Sequence, residues 1–178
     1  PIFDFVKKKA PVSKLPGQRT CEYQPSLKLP EPFSRNEFLL EHVTNKSLED
    51  KNHVMKQLNS SNYGFYPTFE VDKFTISYNL WGGAQWPGAS IDPDKNILYV
   101  TSHDLPTKFK IFSSFDINKN LELKTNLLDI GKNNKLDDLE GYPGITPPWG
   151  SLTALNLNSG KIIWQVPLGY FDELKNSC

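Results

Sequence analysis

The run from Ala154 to Trp164, Ala-Leu-Asn-Leu-Asn-Ser-Gly-Lys-Ile-Ile-Trp, constrains the fold more than any other stretch of this chain. It reads as strand, tight turn, strand. Asn158, Ser159 and Gly160 carry turn chemistry, and Gly160 is free to take the positive φ that hairpins often demand. Ile162, Ile163 and Trp164 then open a second strand rich in β-branched and aromatic residues.

The pattern A-x-(D/N)-x-x-(S/T)-G-x-x-x-W has the form of a propeller-blade repeat, in which the indole fills space between neighbouring sheets. A blade of that kind is never a whole protein. Composition agrees with a β-rich globular chain: aromatics reach 12%, with four Trp, and fourteen Pro leave little room for helix. Twenty basic and twenty acidic residues cancel, so no global field points to nucleic acid or an anionic membrane. No apolar stretch approaches the roughly 18 residues of a spanning helix. The chain opens on Pro1 rather than Met, which reads as a segment of a longer protein. Cys21 and Cys178 have no motif spacing, and their pairing is not expected.

Residues 1–33 read as a Pro-punctuated loop with a short strand at Ile2–Val6, and Lys7-Lys8-Lys9 as a solvated charge run. Residues 34–60 read as a helical insertion of two short helices. Ser34-Arg35-Asn36-Glu37 has the form of a capping box, and Ser47-Leu48-Glu49-Asp50 opens a second start before Val54, Met55 and Leu58. Its apolar face is expected to cover the outside of a blade, with His42 and His53 in this region. Residues 61–178 read as blade strands and loops, with strands at Phe74–Tyr78, Ile97–Thr101, Phe109–Phe112, Ser151–Leu157 and Lys161–Val166. Residues 115–150 form a long polar excursion. Within it Asp137, Asp138 and Glu140 lack the alternation and Gly of a calcium loop, so they read as a solvated turn.

A second block, Trp81 to Pro93, combines Gly82, Gly83 and Gly88 with Trp86. Glycines allow close approach of a ligand or another strand, and Trp86 offers a flat apolar face. The plainer reading is that these residues pack a blade corner. Asp92-Pro93-Asp94 is a turn leading into the Ile97 strand.

Four ordered segments carry a family likeness. They are Pro16–Thr20 with Tyr23-Gln24-Pro25; Pro30-Glu31-Pro32-Phe33-Ser34-Arg35; Gly82–Pro93 with Leu98-Tyr99-Val100; and Gly141-Tyr142-Pro143 through Pro148–Ala154 to Trp164 and Pro167-Leu168-Gly169. In this combination the chain resembles the pyrroloquinoline quinone (PQQ)-dependent dehydrogenases of the membrane glucose dehydrogenase type. The resemblance implies an all-β chain, part of an eight-bladed β-propeller of about two to three blades, with a short helical insertion. It implies PQQ beside a calcium ion, with a carboxylate base, a basic residue on the quinone oxygen and the calcium ligands all outside this segment. The implied substrate is a sugar, alcohol or polyol, and the implied electron acceptor is a respiratory quinone or cytochrome. The implied location is the periplasm, with any membrane attachment supplied from elsewhere.

What the resemblance leaves for this segment is one part of the cofactor pocket. Relatives often carry Asn on the strand after the Asp-Pro turn; here that position is Thr101, whose hydroxyl lacks an amide's paired groups. Thr101, Trp86 and His103 are therefore the cofactor-binding candidates, and no residue is assigned to catalysis or metal binding. His103 has a pKa suited to proton transfer, although a lone His is more often structural. The competing reading is a scaffold or binding propeller that keeps the blade repeat without PQQ. The segment alone is expected neither to turn over substrate nor to hold PQQ tightly.

Overall fold

The structure is a computed structural model that describes residues 3–15, 17–78, 83–111, 134–169 and 171–174. It is mostly sheet. Strands β1 (Asp4–Lys9) and β2 (Tyr23–Leu29) pair antiparallel. Helix α1 (Leu48–Asn59) follows, then β3 (Ser61–Asn62), β4 (Phe74–Ser77), β5 (Gly83–Asp92), β6 (Ile97–His103) and β7 (Thr107–Lys110). Strands β8 (Gly150–Asn156) and β9 (Ile162–Pro167) complete the order. Three strands form a sheet β3-β4-β7, and four form a sheet β5-β6-β8-β9 whose neighbours are all antiparallel.

The four-stranded sheet is the expected blade form. Its β8–β9 hairpin turns where turn chemistry predicts. Asn156 Oδ1 accepts the backbone N–H groups of Asn158 and Ser159 at 2.9 and 3.0 Å, and Gly160 has φ 71°. At the other hairpin Asp92 Oδ1 accepts the Lys95 N–H at 3.1 Å. The interblade clamp expected of Trp164 is not made among the described residues. Its ring instead lies 6.0 Å from Tyr99 of its own sheet and stays 40% exposed.

Other expectations change. The loop read over residues 1–33 contains a second strand, because Tyr23–Leu29 pairs with Asp4–Lys9 along its length. Pro25 fits there because each member of a two-stranded ribbon is an edge, where a missing N–H costs little. The Lys run lies within β1, and Lys8 pairs with Glu37. The first predicted helix is only a 3₁₀ turn at Leu40–His42. Phe38 and Val43 on either side of it are buried, so tertiary anchoring overrides the local capping signal. The second helix forms as α1, with Ser47 Oγ accepting the Asp50 N–H at 3.0 Å. β5 occupies the Gly-rich block that read as a corner, and β7 starts two residues before the predicted Phe109. Phe112 and the part of the excursion from 115 to 133 lie outside the described residues.

The apolar core sits around the helix. Asp50, Val54 and Leu58 recur every fourth residue on the buried side of α1. Val54 and Leu58 cluster with Phe38, Val43, Ile76, Tyr78, Leu136 and Ile145, with Trp149 packed against the cluster. Residues 134–149 therefore wrap the helix rather than leave the surface. Gly144 makes this approach possible, since a Cβ there would lie 2.8 Å from Val54 Cγ2 and 2.9 Å from the Leu136 carbonyl.

A strap at residues 31–35 ties the blade to this core. Glu31 donates its N–H to the Gly160 carbonyl at 2.7 Å, and its Oε2 accepts the Ile162 N–H at 2.7 Å. The Phe33 carbonyl accepts from Gln165 Nε2 at 2.8 Å and from Ser102 Oγ at 3.4 Å. Each such bond contributes about 1 kcal/mol net.

Candidate functional site

Thr101 and His103 sit two apart on β6, so they point to the same face of the sheet. On the neighbouring edge strand Ala84 pairs with Ser102 and Ala89 with Val100. Gln85, Trp86, Pro87 and Gly88 consequently all stand opposite the single residue Thr101, as a wide bulge. Gly83 and Gly88, at φ 93° and 86°, supply the positive-φ corners that this extrusion requires. Trp86 at its tip is 97% exposed, so the reading of a buried corner Trp is overturned. The ladder thus brings Trp86 level with Thr101, and Gly83 opposite His103.

The end of β6 is held from behind. Asp104 Oδ1 accepts the Arg35 N–H at 2.9 Å, and Oδ2 lies 3.8 Å from Arg35 Nε. Arg35 also donates through Nη1 to the Thr146 carbonyl at 3.1 Å, and Asp104 donates its N–H to the Trp149 carbonyl at 2.9 Å. Burial pushes the Asp104 carboxyl above its ordinary range, and it outweighs the opposing pull of Arg35. Burial lowers His103 against the nearby Asp104 charge, favouring the neutral imidazole. His103 Nδ1 is buried with no hydrogen-bond partner among the described residues. Nearby, Tyr78 Oη and His42 Nδ1 lie 3.0 Å apart; burial raises Tyr78 to about 12, and burial with Arg35 lowers His42.

A cleft of about 1450 Å³ opens beyond this end of β6, where Gly150 pairs with His103. Tyr142 and Trp149 lie near-parallel on its wall, with centroids 6.4 Å apart and planes 16° apart. Phe171 stands edge-on to both, at 5.4 and 5.5 Å. The Trp149 indole is fixed by donating to the Ile145 carbonyl at 2.9 Å. Lys46 Nζ sits 4.8 Å from the Tyr142 ring centroid. It lies 2.7 Å from Asp138, 3.1 Å from Glu140 and 3.5 Å from Asp50. The approach to Asp138 Oδ2 is close but off the hydrogen-bonding direction, so the pairing there is one of charge. Desolvation opposes the Lys46 charge, but the carboxylates outweigh it and hold the ammonium above its usual range.

Asp138 is therefore not part of a solvated turn. It is buried, and its Oδ1 accepts the N–H groups of Glu140 and Tyr142, each at 2.9 Å. Asp138 and Glu140 are remote from Lys46 in the chain, so the sequence carries no local sign that these charges meet. Cys21 is exposed and has no disulfide partner among the described residues, and Cys178 lies outside them.

A planar anionic quinone needs a flat apolar surface and polar atoms without partners of their own. Trp86 supplies the first and the buried His103 Nδ1 the second, with half-buried Thr101 at the level of Trp86, so these residues are of the kinds such a group needs along one side. Among the described residues no three His, Cys, Asp or Glu side chains are placed to hold a metal ion. No helix among them is long and apolar enough to cross a membrane.

Comparison with known proteins gives the same direction. The chain is similar to the quinate/shikimate dehydrogenase (quinone) of Acinetobacter baylyi, 23% identical over 196 aligned residues covering 95% of this chain. The chain spans about a quarter of that relative's length (23%). No solved structure matches the chain significantly. Residues 1–177 match the family model described as "PQQ: Glucose/ethanol/alcohol dehydrogenase, beta-propeller domain". The chain belongs to the β-propeller domain family of the PQQ-dependent dehydrogenases, which are oxidoreductases.

Proposed function

We propose that this chain supplies one cofactor-facing edge of a periplasmic PQQ-dependent dehydrogenase that oxidises a hydroxyl of a sugar, alcohol or polyol. A respiratory quinone or cytochrome takes up the electrons, and calcium ligands come from outside residues 1–178. The observation that carries the reading is the extruded Trp86 at the level of Thr101, two residues along β6 from His103, whose buried Nδ1 has no hydrogen-bond partner among the described residues. When bound, PQQ supplies a two-electron oxidant that accepts hydride from the substrate carbon. Trp86 offers its flat face to the ring system, and the Thr101 hydroxyl and the neutral His103 imidazole hydrogen-bond at its edge. The Arg35–Asp104 pair holds the end of β6 so that these two side chains keep their spacing.

Residues 34–60 serve as an insertion that braces the blade, and residues 61–178 supply blade strands. Strands β5 and β9 are open edges of the four-stranded sheet. The 178 residues alone therefore hold PQQ weakly and do not turn over substrate. The test is reconstitution of the full-length protein with PQQ and calcium. The expected result is PQQ absorbance in the purified protein and reduction of an artificial acceptor with a sugar or polyol. Stable folding with no PQQ uptake would replace this reading with that of a scaffold propeller.

A further inference from the structure

His42 holds two hydrogen-bond donors on a single ring nitrogen. Leu39 donates its N–H to Nδ1 at 3.3 Å, tying down the 3₁₀ turn Leu40–His42, and Tyr78 Oη lies 3.0 Å from the same atom. A backbone N–H can only donate, so Nδ1 carries no proton and the neutral ring keeps its hydrogen on Nε2. Tyr78 then donates as well. Its proton stays in place at neutral pH, because burial raises the hydroxyl to about 12 against the pull of Arg35. Phe38 stands edge-on to the imidazole and stacks on the Tyr78 ring, so the polar contact is seated on the apolar core.

A chain of hydrogen bonds joins this ring to the end of β6. The His42 carbonyl accepts the Thr146 N–H at 2.8 Å, and the Thr146 carbonyl accepts Arg35 Nη1 at 3.1 Å. Arg35 donates its N–H to Asp104, the residue after His103. A proton added at Nδ1 of His42 faces the Leu39 N–H, donor against donor, and sets a second cation beside Arg35. The charges around the ring divide: Arg35 of the strap opposes an imidazolium, whereas Glu41 of its own turn, Asp104 and Glu37 favour it. Residues 145–146, which bridge to Val43, bring no titratable side chain, and α1 enters the cluster through Val54 and Leu58. Burial, aided by Arg35, outweighs the carboxylates, so the closed arrangement prefers the neutral ring.

We propose that His42 is a pH-sensitive latch: protonation of its ring opens the Leu40–His42 turn and loosens the Arg35–Asp104 hold on the end of β6. The latch is complete above the ordinary histidine value of ~6.5 and opens as pH falls through the lowered folded value. Its consequence for PQQ, a weaker grip by Thr101 and His103 in acid, rests on the cofactor-edge reading; the latch itself does not.

The test is amide hydrogen exchange in the full-length apoprotein at pH 7.5 and 5.5, corrected for intrinsic exchange rates. Protection at the Leu39 and Arg35 amides is expected to fall together by about tenfold, because proton binding favours an open ring of ordinary value ~6.5 about tenfold at pH 5.5. His42→Gln offers an acceptor that does not titrate and is expected to remove the step at both amides. Tyr78→Phe takes one donor from the neutral ring, so the opening should move to higher pH. His103→Asn should leave the step at Leu39 in place. No step in the wild type, a step that survives His42→Gln, or one lost in His103→Asn overturns the proposal. PQQ is titrated into the same samples at both pH values. Binding that weakens about threefold or more in acid, in wild type but not in His42→Gln, joins the latch to the cofactor edge. PQQ uptake indifferent to pH beside an intact step sinks that consequence alone. A step without any PQQ uptake supports the latch and sinks the cofactor reading.

Discussion

Arg35 donates its backbone N–H to Asp104 at 2.9 Å across 69 positions of sequence, and its guanidinium reaches the same carboxylate and the Thr146 carbonyl. This pair joins the strap, the end of β6 and the loop that carries Trp149. Both side chains are largely buried, at 20% and 13% exposure. Arg35→Ala leaves Asp104 desolvated beside no cation and is expected to cost about 3 kcal/mol in urea unfolding. Arg35→Lys keeps the charge but not the planar fork, so it should fall between Ala and wild type. A loss below about 0.5 kcal/mol for the Ala variant would mean the pair is not what anchors β6.

Gly144 is a packing requirement rather than a turn requirement. Gly144→Ala sets a methyl against Val54 on α1 and against the Leu136 carbonyl, which is backbone and cannot step aside. The expected cost is about 1–3 kcal/mol, read as a drop in Tm. An unchanged Tm would show that residues 134–149 do not close on the helix as described.

These two sites show where sequence reading reaches its limit. The 158–160 turn, the Asp92 turn and the Ser47 cap were legible because their hydrogen bonds close within two or three residues. β5 is hidden in the sequence because two glycines and a Pro disguise a strand whose partners are supplied by β6. Tyr23–Leu29 was hidden for the same reason, with Pro25 tolerated only because the ribbon has two edges. The candidate cofactor residues were legible as a family pattern, yet their alignment was not. Only the ladder shows that a four-residue bulge puts Trp86 opposite Thr101. Contacts such as Asp50 to Leu139, 89 residues apart, leave no local signature at all.

Lys46 is the hub of the second such contact. Its side chain and those of Asp138 and Asp50 are 16%, 1% and 5% exposed. Lys46→Met strands two buried carboxylates and is expected to cost about 3–5 kcal/mol. The acid limb adds a sign. Ser47, then the Leu139 N–H and Lys46, hold Asp50 below its ordinary range despite its burial. Its contribution is therefore present above the unfolded carboxylate value and lost as pH falls through the folded one. In Lys46→Met the Ser47 bond persists, so acid unfolding measured by circular dichroism should shift toward neutral pH without losing its steepness entirely.

Histidine titration predicts a separate window nearer neutrality. Burial lowers His103, and burial with Arg35 lowers His42 against Glu41, Asp104 and Glu37. Folded values below the unfolded ~6.5 mean that the unfolded chain binds protons first. Stability is complete above about pH 6.5 and declines as pH falls through the folded values. The Asp104 carboxyl, raised by burial, acts in the opposite sense at lower pH, since protonation relieves its desolvation. Tm measured at pH 7.5 and 5.5 should therefore fall, and the fall should shrink in His42→Gln or His103→Asn. A Tm that rises on acidification across this range would contradict the neutral imidazoles.

Trp86 separates cofactor contact from structural support more cleanly than any other residue on the edge. Its side chain is almost wholly exposed, so Trp86→Ala removes little buried area and should change stability by less than about 0.5 kcal/mol. Against PQQ the same substitution removes a stacking surface, worth about three- to tenfold in affinity. Thr101→Val keeps the shape of the half-buried side chain and deletes its hydroxyl, an expected loss of about fivefold for one neutral hydrogen bond. Equilibrium titration of PQQ into full-length apoprotein, followed by its absorbance, reads both. Because Gln85–Gly88 and Thr101 meet at one rung, the double variant should weaken binding by less than the product of the single effects, as for contacts made to a shared ligand face. If neither single variant changes PQQ affinity while both fold normally, the β5 bulge is not a cofactor edge, and the exposed indole must be covered by another part of the ring.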